Sequence, residues 1–152
     1  MELILRSPLD MHIHFRQDEM LRVVAPLTAE HFSGGVIMPN LLPPVDSLDR
    51  ILWYTNEVRS ACAGHTFEPY MTLFFRDYSR EELEAAKPHI LGIKLYPAGA
   101  TTNSEGGVRE IMSMARVFEA MQELDIPLLV HGETHGFVMD REARSEEHTS
   151  EL

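Results

Sequence analysis

The chain has 152 residues, enough for one modest domain, and 44% of them are apolar, so that a hydrophobic core can form. Its formal net charge of −11 argues against a nucleic-acid partner and against an anionic membrane surface. No apolar run is long enough to span a bilayer, the first residues lack the features of a signal peptide, and the single cysteine excludes an internal disulfide. The composition therefore predicts a soluble cytoplasmic protein.

The first informative stretch is Asp10–Arg16, which carries His12, His14 and Arg16 at every second position. Side chains alternate between the two faces of a strand, so these three would share one face and the apolar residues between them the other. Two adjacent imidazoles can hold one metal ion, and a guanidinium beside them suggests a substrate with a carboxylate or phosphate. A pair of surface histidines in a loop is the alternative, and the pattern alone does not decide between the two.

Four apolar runs further along the chain predict additional strands, because each is bounded by glycine, proline or a polar loop. They cover residues 36–40, 67–75, 90–97 and 127–133. Together with the first stretch, they make five strands. A loop rich in glycine, alanine, threonine and asparagine follows the fourth strand, over residues 98–107.

Three helices are predicted between these strands. Ser47 can cap the first helix, and Ser79 and Glu82 form a capping box that opens the second, which ends near Lys87 and Pro88. The apolar stripe of the first helix consists of Leu48, Ile51, Leu52, Thr55, Val58 and Cys62. The stripe of the third helix consists of Val108, Ile111, Met112, Ala115 and Phe118.

The alternation of strands and helices, with connections of suitable length, predicts parallel β/α units. Several polar residues lie at or near the carboxyl ends of the strands, where a (β/α)8 barrel builds its active site. They are His12, His14, Asn40, Lys94 and His131. A doubly wound open sheet would usually show a glycine-rich phosphate turn, and none follows the first strand. The predicted fold is therefore α/β, a partial TIM (β/α)8 barrel with about five of its eight β/α units and parallel strands.

Lys94 and His131 interrupt apolar strands. A charged lysine is costly in such a place, so its pKa should fall, and a neutral amine can react with carbon dioxide to give a carbamate that bridges two metal ions. The alternatives are a lysine that reaches solvent or pairs with a carboxylate, and a hydrogen-bonded core histidine. In combination with the histidine pair, both residues favour a zinc site with imidazole and oxygen ligands.

Four stretches of the chain resemble the bacterial-type dihydroorotases of the amidohydrolase superfamily. They are residues 10–16, 36–41 with the two prolines at 43 and 44, 92–98 with 100–104, and 127–133. The resemblance extends to about Arg144. It implies a reversible, zinc-dependent hydrolysis of dihydroorotate to N-carbamoyl-L-aspartate in pyrimidine biosynthesis, with a homodimer as the full-length form and small molecules as its substrates.

The resemblance also implies roles for single residues. His12 and His14 would bind the more buried of two zinc ions, a carbamylated Lys94 would bridge both, and His131 would bind the second. The side chains beside the substrate would include Arg16 and Asn40, which hold its carboxylate, and Thr101 and Thr102 on a mobile loop that closes over it. His14 and His131 would lie next to the substrate as well.

The chain departs from the family in its length, because a complete barrel needs about 250 residues and eight strands. Residues 1–143 would be the N-terminal part of such a barrel, without the third zinc-binding histidine and without the catalytic aspartate, so no catalytic residue is predicted in this chain. An open strand edge predicts poor solubility, partial unfolding and no activity for the chain alone. Residues 144–152 look like a translated sequencing adapter and are predicted to be a non-native tail.

Two other functions remain open. A second kind of cyclic-amide hydrolase, such as a hydantoinase or dihydropyrimidinase, would share the histidine pair and the lysine, but Arg16 and the Met38–Asn40 stretch favour an acidic substrate. A non-catalytic, barrel-like binding module would have no need of metal ligands, and here all four predicted ligand positions are intact.

Overall fold

A computed structural model of the chain describes residues 4–132. Its five strands form one sheet in which all neighbours are parallel and the order is the order of the chain. The strands are β1 (Leu9–Ile13), β2 (Gly34–Ile37), β3 (Glu68–Phe74), β4 (Gly92–Leu95) and β5 (Leu128–Val130). The predicted parallel five-stranded arrangement of a partial barrel is confirmed. Residues 133–152, with the predicted tail and the last position of the fifth predicted strand, lie outside the described part.

One α-helix lies between each pair of consecutive strands, as the β/α pattern predicts. The helices are α1 (Asp18–Ala29), α2 (Leu48–Ala61), α3 (Arg80–Ala86) and α4 (Ala115–Glu123), with short 3-10 turns at Lys87–His89 and Ile111–Met114. None of the helices within residues 4–132 has both the length and the apolar character needed to cross a membrane.

The two predicted helix caps are confirmed. The Ser47 hydroxyl accepts a hydrogen bond from the Arg50 amide at 3.4 Å at the start of α2. At the start of α3, Ser79 Oγ accepts from the Glu82 amide at 3.3 Å, and Glu82 Oε2 accepts in return from the Ser79 amide at 2.8 Å. Both caps satisfy amide groups that the first turn of a helix leaves without a partner.

Helix α1 was not among the predicted helices, and its sequence explains why. Its N-cap residue, Gln17, makes no capping hydrogen bond through its side chain, and Pro26 lies inside the helix. Three large apolar side chains on the helix are exposed, which blurs the apolar stripe that marks a helix against a core. They are Met20, Val23 and Leu27.

The predicted third helix was wrong in its start and in most of its stripe. Val108 is held extended against the end of β4, since its amide donates to the Tyr96 carbonyl at 2.8 Å and its carbonyl accepts from the Ala98 amide at 3.0 Å. Ile111 and Met112 are 46% and 80% exposed. Helix α4 therefore begins only at Ala115, and its buried side chains are Val117 and Met121. In α2, Leu52 is exposed and Tyr54 is buried in its place.

The core lies between the helices and one face of the sheet. The strands contribute buried side chains to this core, among them Ile13, Ile37, Leu73 and Ile93. The buried stripes of the four helices pack against these side chains. The helices within residues 4–132 leave parts of the outer strands exposed, namely Leu9 and Met11 of β1 and Leu128 and Val130 of β5. Leu128 and Val130 are register partners of the core residues Ile93 and Leu95, so their exposed side chains face the side on which helices pack.

Candidate active site

The candidate site lies at the carboxyl ends of the strands, and the pairing of β1 with β2 fixes its first residues. The Met38 amide donates to the Ile13 carbonyl at 2.8 Å, which carries the strand pairing up to the histidine segment. Gly35 permits this close approach, because a Cβ at that position would lie 2.2 Å from Ile13 Cδ1 and 2.7 Å from the Asp10 carbonyl oxygen. Because Gly35 has no side chain, β1 can lie close to β2 at this point. This close approach fixes the position of the two histidines.

His12 and His14 lie side by side on the open face of this segment. Their Nε2 atoms are 3.0 Å apart, and their ring centroids are 5.0 Å apart. Ile13 and Phe15 point to the other side and are buried in the core. The alternation expected for a strand is thus present, and it brings two imidazole nitrogens to one point.

Both imidazoles have a lowered pKa. For His14, partial burial and the neighbouring charges of Arg16 and His12 lower the pKa to about 4, although a hydrogen bond with Asn40 acts in the opposite direction. For His12, partial burial and the charges of Lys94 and His131 lower the pKa. His14 is therefore uncharged at neutral pH, and the shift of His12 is toward the same form, which is the one that binds a metal ion.

Lys94 is only 4% exposed, and burial lowers the pKa of its amine. Its Nζ donates to the Val130 carbonyl at 3.2 Å and lies 5.5 Å from the centroid of the Tyr96 ring. Within residues 4–132 no carboxylate lies within ion-pair distance of this amine. Both alternatives for Lys94, access to solvent and pairing with a carboxylate, thus disagree with its surroundings in the described residues.

His131 follows β5, where its amide donates to the Leu95 carbonyl at 3.0 Å. Its ring centroid lies 5.9 Å from that of Tyr96. In the part of the chain that the structure describes, no three His, Cys, Asp or Glu side chains gather around a position suitable for a metal ion. The described residues therefore show no cluster that joins His131 to the His12–His14 pair, and the assignment of His131 to a second ion stays an expectation from the resemblance to dihydroorotases.

The residues present fit a zinc ion at the histidine pair. Two Zn–N bonds of about 2.0–2.1 Å at a tetrahedral angle place their nitrogens roughly 3.3 Å apart. The separation of 3.0 Å between the Nε2 atoms of His12 and His14 is close to this distance. The lowered pKa of Lys94 favours the neutral amine that carbamate formation requires.

Asn40 is the centre of a hydrogen-bond network beside the histidines, and it is 1% exposed. Its Oδ1 accepts from the Tyr96 hydroxyl at 3.1 Å, and its Nδ2 donates to the Thr102 carbonyl at 2.8 Å. Its backbone carbonyl accepts from Asn103 Nδ2 at 3.2 Å and, at a long distance of 3.5 Å, from Arg16 Nη1. The network thus connects the ends of β1, β2 and β4 with the loop at residues 98–107.

Ser104 holds that loop in a compact turn. Its buried hydroxyl donates to the Thr101 carbonyl at 2.7 Å and accepts from the Thr101 amide at 3.0 Å. The Ser104 carbonyl accepts from the amides of Gly99 at 2.9 Å and Gly107 at 2.8 Å. Thr102 is in direct contact with Asn40 through its backbone, and Thr101 is the residue before it. The mobility of the loop stays a prediction.

Sequence reasoning missed Tyr96, Asn103 and Ser104 in this network. A signal for Tyr96 was available, because it lies two positions after Lys94 and an extended chain places such residues on the same face. Burial raises the pKa of the Tyr96 hydroxyl above its usual range, so the group stays protonated. No comparable signal marks Asn103 and Ser104, whose contacts depend on how the loop folds back.

Comparisons with known proteins show that the chain is similar to dihydroorotases. No family model matches the chain. A dihydroorotase from Acaryochloris marina is 45% identical over 148 residues, which are 93% of this chain and 43% of that protein. Among solved structures, dihydroorotase from Campylobacter jejuni superposes with a TM-score of 0.88 at 48% identity, covering 99% of this chain and 47% of that one.

Two further structures extend the comparison. A Saccharomyces cerevisiae dihydroorotase in complex with 5-fluoroorotic acid has a TM-score of 0.76 at 35% identity, covering 92% of this chain and 41% of that one. An L-hydantoinase from Arthrobacter aurescens has a TM-score of 0.66 at 15% identity over 84% of this chain and 29% of its own, and this likeness concerns the fold alone. The chain spans less than half the length of the relatives it matches. Over that length, it belongs to the dihydroorotase family.

Proposed function

We propose that this chain forms part of a dihydroorotase, which hydrolyses the cyclic amide of dihydroorotate to N-carbamoyl-L-aspartate and catalyses the reverse ring closure. One observation carries the proposal. The His12–His14 pair, with its Nε2 atoms 3.0 Å apart, lies directly beside the hydrogen-bond donors of Arg16 and Asn40. A metal site next to donors for a carboxylate suits an amide ring that bears an acidic group. A cytoplasmic homodimer remains a prediction.

The metal ligands proposed in this chain are His12 and His14 for one zinc ion, His131 for a second, and a carbamylated Lys94 for both. Zinc, when bound, supplies a Lewis acid that polarises the ring carbonyl and lowers the pKa of water. The imidazoles require no deprotonation at neutral pH if they are already uncharged, and the lowered pKa of both rings supports this role.

Lys94 is proposed to supply the bridge by reacting with carbon dioxide. The neutral amine would attack the carbon of carbon dioxide, so that a nitrogen–carbon bond forms while one carbon–oxygen π bond opens and its electron pair moves to oxygen, and the nitrogen loses one proton to solvent. A group that could carry a positive charge thereby becomes an anion with two oxygen ligands. Burial of the side chain, which lowers the pKa of the amine, supports the first step because only the unprotonated amine has a free electron pair.

Arg16 and Asn40 are proposed to bind the substrate carboxylate. Within residues 4–132 the hydrogen bond of the Arg16 guanidinium is the long 3.5 Å contact with the Asn40 carbonyl, and its other donors are proposed to form paired hydrogen bonds with a carboxylate. Asn40 Nδ2 carries two hydrogens. One is donated to the Thr102 carbonyl, and the other is proposed to bind the carboxylate. Thr101 and Thr102 would then contact the substrate from the loop. Proton transfer is not assigned to any residue from 4 to 132, in line with the implied aspartate on a later strand.

The test uses a complete barrel, because the chain spans less than half the length of its relatives. Residues 4–132 replace the matching stretch of the Campylobacter jejuni dihydroorotase, and this protein is called the chimera below. We expect the zinc-loaded chimera to hydrolyse dihydroorotate and to leave neutral hydantoins unchanged. Arg16→Ala should raise KM at least tenfold, whereas Arg22→Ala, an exposed arginine on α1, should not change it.

Three results would contradict the proposal. A folded, zinc-containing chimera without activity toward dihydroorotate would exclude a catalytic role for this stretch and favour a non-catalytic module. Turnover of hydantoins in preference to dihydroorotate would favour the second class of cyclic-amide hydrolase. An unchanged KM in Arg16→Ala would remove the proposed carboxylate site.

A further inference from the structure

We infer that Tyr96 is a positioning residue, whose hydroxyl fixes the direction of the Asn40 side-chain amide so that its NH2 group faces the substrate carboxylate. The inference rests on the proposed function, and it gives that function a residue which does not touch the substrate. Three features of the described residues carry it: the chemistry of the two partners of Asn40, the burial of both side chains, and the position of Asn40 between the histidines and the loop.

The two partners allow only one direction for the amide. The Thr102 carbonyl can accept a hydrogen bond but cannot donate one, so the Asn40 atom 2.8 Å from it must be the nitrogen. The oxygen then faces the Tyr96 hydroxyl at 3.1 Å, and that hydroxyl must donate. The direction of the amide thus follows from hydrogen-bond chemistry: the Thr102 carbonyl holds its nitrogen end, and the Tyr96 hydroxyl donates to its oxygen end.

Burial makes this arrangement rigid. Asn40 and Tyr96 are each 1% exposed, so water cannot replace either partner easily. The Tyr96 ring is stacked on Phe74, with centroids 5.3 Å apart and an interplanar angle of 25°. The backbone carbonyl of Tyr96 accepts from the Val108 amide at 2.8 Å, which fixes the residue from its other end. The hydroxyl is therefore held against Asn40 by the packing of the ring.

The position of Asn40 explains why its direction matters. Its side chain interacts with the His14 imidazole closely enough to affect the pKa of that ring, and its backbone carbonyl is the acceptor for Arg16. The amide thus lies between the metal ligands and the guanidinium, where a carboxylate would bind. If the Tyr96 hydroxyl were absent, only the Thr102 carbonyl would oppose a reversed amide, and reversal would become easier. In the reversed form the Asn40 oxygen would face both the Thr102 carbonyl and the incoming carboxylate, and acceptors in contact repel one another.

The test compares two buried tyrosines in the chimera. Tyr96→Phe keeps the ring and its stacking but removes the donor, and we expect KM for dihydroorotate to rise about three- to tenfold while kcat changes less than twofold. Tyr78→Phe is the matched control, because its buried hydroxyl also donates, to the Phe74 carbonyl at 2.7 Å and the Asp46 carbonyl at 3.1 Å, away from the site. It should lower the melting temperature without any change in KM.

A double-mutant cycle separates positioning from simple packing. In the Asn40→Ala background the hydroxyl has no amide to orient, so Tyr96→Phe should not raise KM further. Asn40→Asp places an oxygen where the NH2 group lies and imitates the reversed amide, so it should raise KM at least as much as Tyr96→Phe. This second variant leaves Tyr96 intact and keeps the inference testable if Tyr96→Phe does not fold.

The possible results of these experiments separate a failure of the proposed function from a failure of the inference about Tyr96. An unsubstituted chimera without activity overturns the proposed function and the inference together. An active chimera in which Tyr96→Phe keeps the original KM overturns the inference alone, as does an equal rise of KM with and without Asn40. If Tyr96→Phe is unfolded, an unchanged KM in Asn40→Asp overturns it. A rise of KM in Tyr96→Phe that Tyr78→Phe does not show, and that disappears in the Asn40→Ala background, supports it.

Discussion

The candidate site has two halves that are held in different ways. In the amide half, Asn40 is bonded through its side chain to Tyr96 and Thr102 and through its carbonyl to Asn103, all within the chain. In the metal half, the imidazoles of His12 and His14 face each other across 3.0 Å and are exposed. The first geometry is set by hydrogen bonds that folding alone completes. The second is set mainly by the positions of the strands.

In the metal half, the groups around the two imidazoles oppose the binding of a cation. Partial burial lowers the pKa of both imidazoles, and so do the charge that Lys94 carries when protonated, beside both rings, and the charge of Arg16 beside His14, which means that these groups oppose any added positive charge there. A metal cation would meet the same opposition. Conversion of Lys94 into a carbamate reverses the sign of that group. The amide half is therefore complete after folding, whereas the proposed metal half would need this change of charge before it could hold two cations.

The largest effect is expected from removing the group that changes sign. In the chimera, Lys94→Met keeps the apolar bulk but cannot form a carbamate, so kcat for dihydroorotate should fall about a thousandfold or more. Lys87→Met, at the exposed end of α3, is the control and should retain full activity. Zinc content measured together with kcat checks the cause. Two bound zinc ions and normal turnover in Lys94→Met would contradict the role of the lysine.

The next largest effect concerns stability, because a ligand that binds only the folded state stabilises it. Free zinc at 100 times its dissociation constant should add about 2.7 kcal/mol to the free energy of unfolding of the chimera. The double substitution His12→Ala and His14→Ala should remove most of this gain in thermal unfolding with and without a chelator. The same substitutions at His65 and His89, which are exposed, should leave it intact. A gain that survives the loss of His12 and His14 would place the zinc elsewhere.

A similar or smaller effect is expected in the amide half. Asn40→Ala removes a donor to a charged group, a loss of about 1.5–3 kcal/mol, so KM should rise about ten- to hundredfold with little change in zinc affinity. Asn56→Ala, on the exposed face of α2, is the matched control. Steady-state kinetics and zinc titration of the same samples test whether the halves are separable. Loss of zinc binding in Asn40→Ala would show that they are not.

The smallest effect lies outside both halves, in the scaffold. Ser79→Ala breaks the capping box of α3 and should cost about 1 kcal/mol of stability. Because α3 contributes no side chain to the site, kcat and KM should not change. Ser60→Ala, at an exposed position in the last turn of α2, should change neither stability nor kinetics. A change of KM in Ser79→Ala would mean that the site depends on the scaffold more than its geometry indicates.

The metal half could be predicted from the sequence more completely than the amide half. The strand that carries His12 and His14, the buried Lys94 and the caps at Ser47 and Ser79 depend on patterns within a few residues, and such patterns are visible in the sequence. Helix α1 escaped prediction because its start lacks a capping side chain and its exposed face is apolar.

The partners of Asn40 could not be predicted by local patterns. Tyr96 and Thr102 are 56 and 62 residues away in the sequence, and only the assembled sheet brings them together. The resemblance to a family implied that Asn40 binds the substrate, but it did not show which groups orient its amide. The structure supplies those contacts, and with them the reason why an asparagine suits this position.

The order of the strands in the sheet has a consequence for how the protein is made. Among the five strands within residues 4–132, each pairs with the strands immediately before and after it in the chain. A nascent polypeptide can therefore build the sheet one β/α unit at a time as it leaves the ribosome, without waiting for a distant segment to arrive. His12 and His14 emerge first, and the lysine and asparagine that complete their surroundings are added in the sequence of translation.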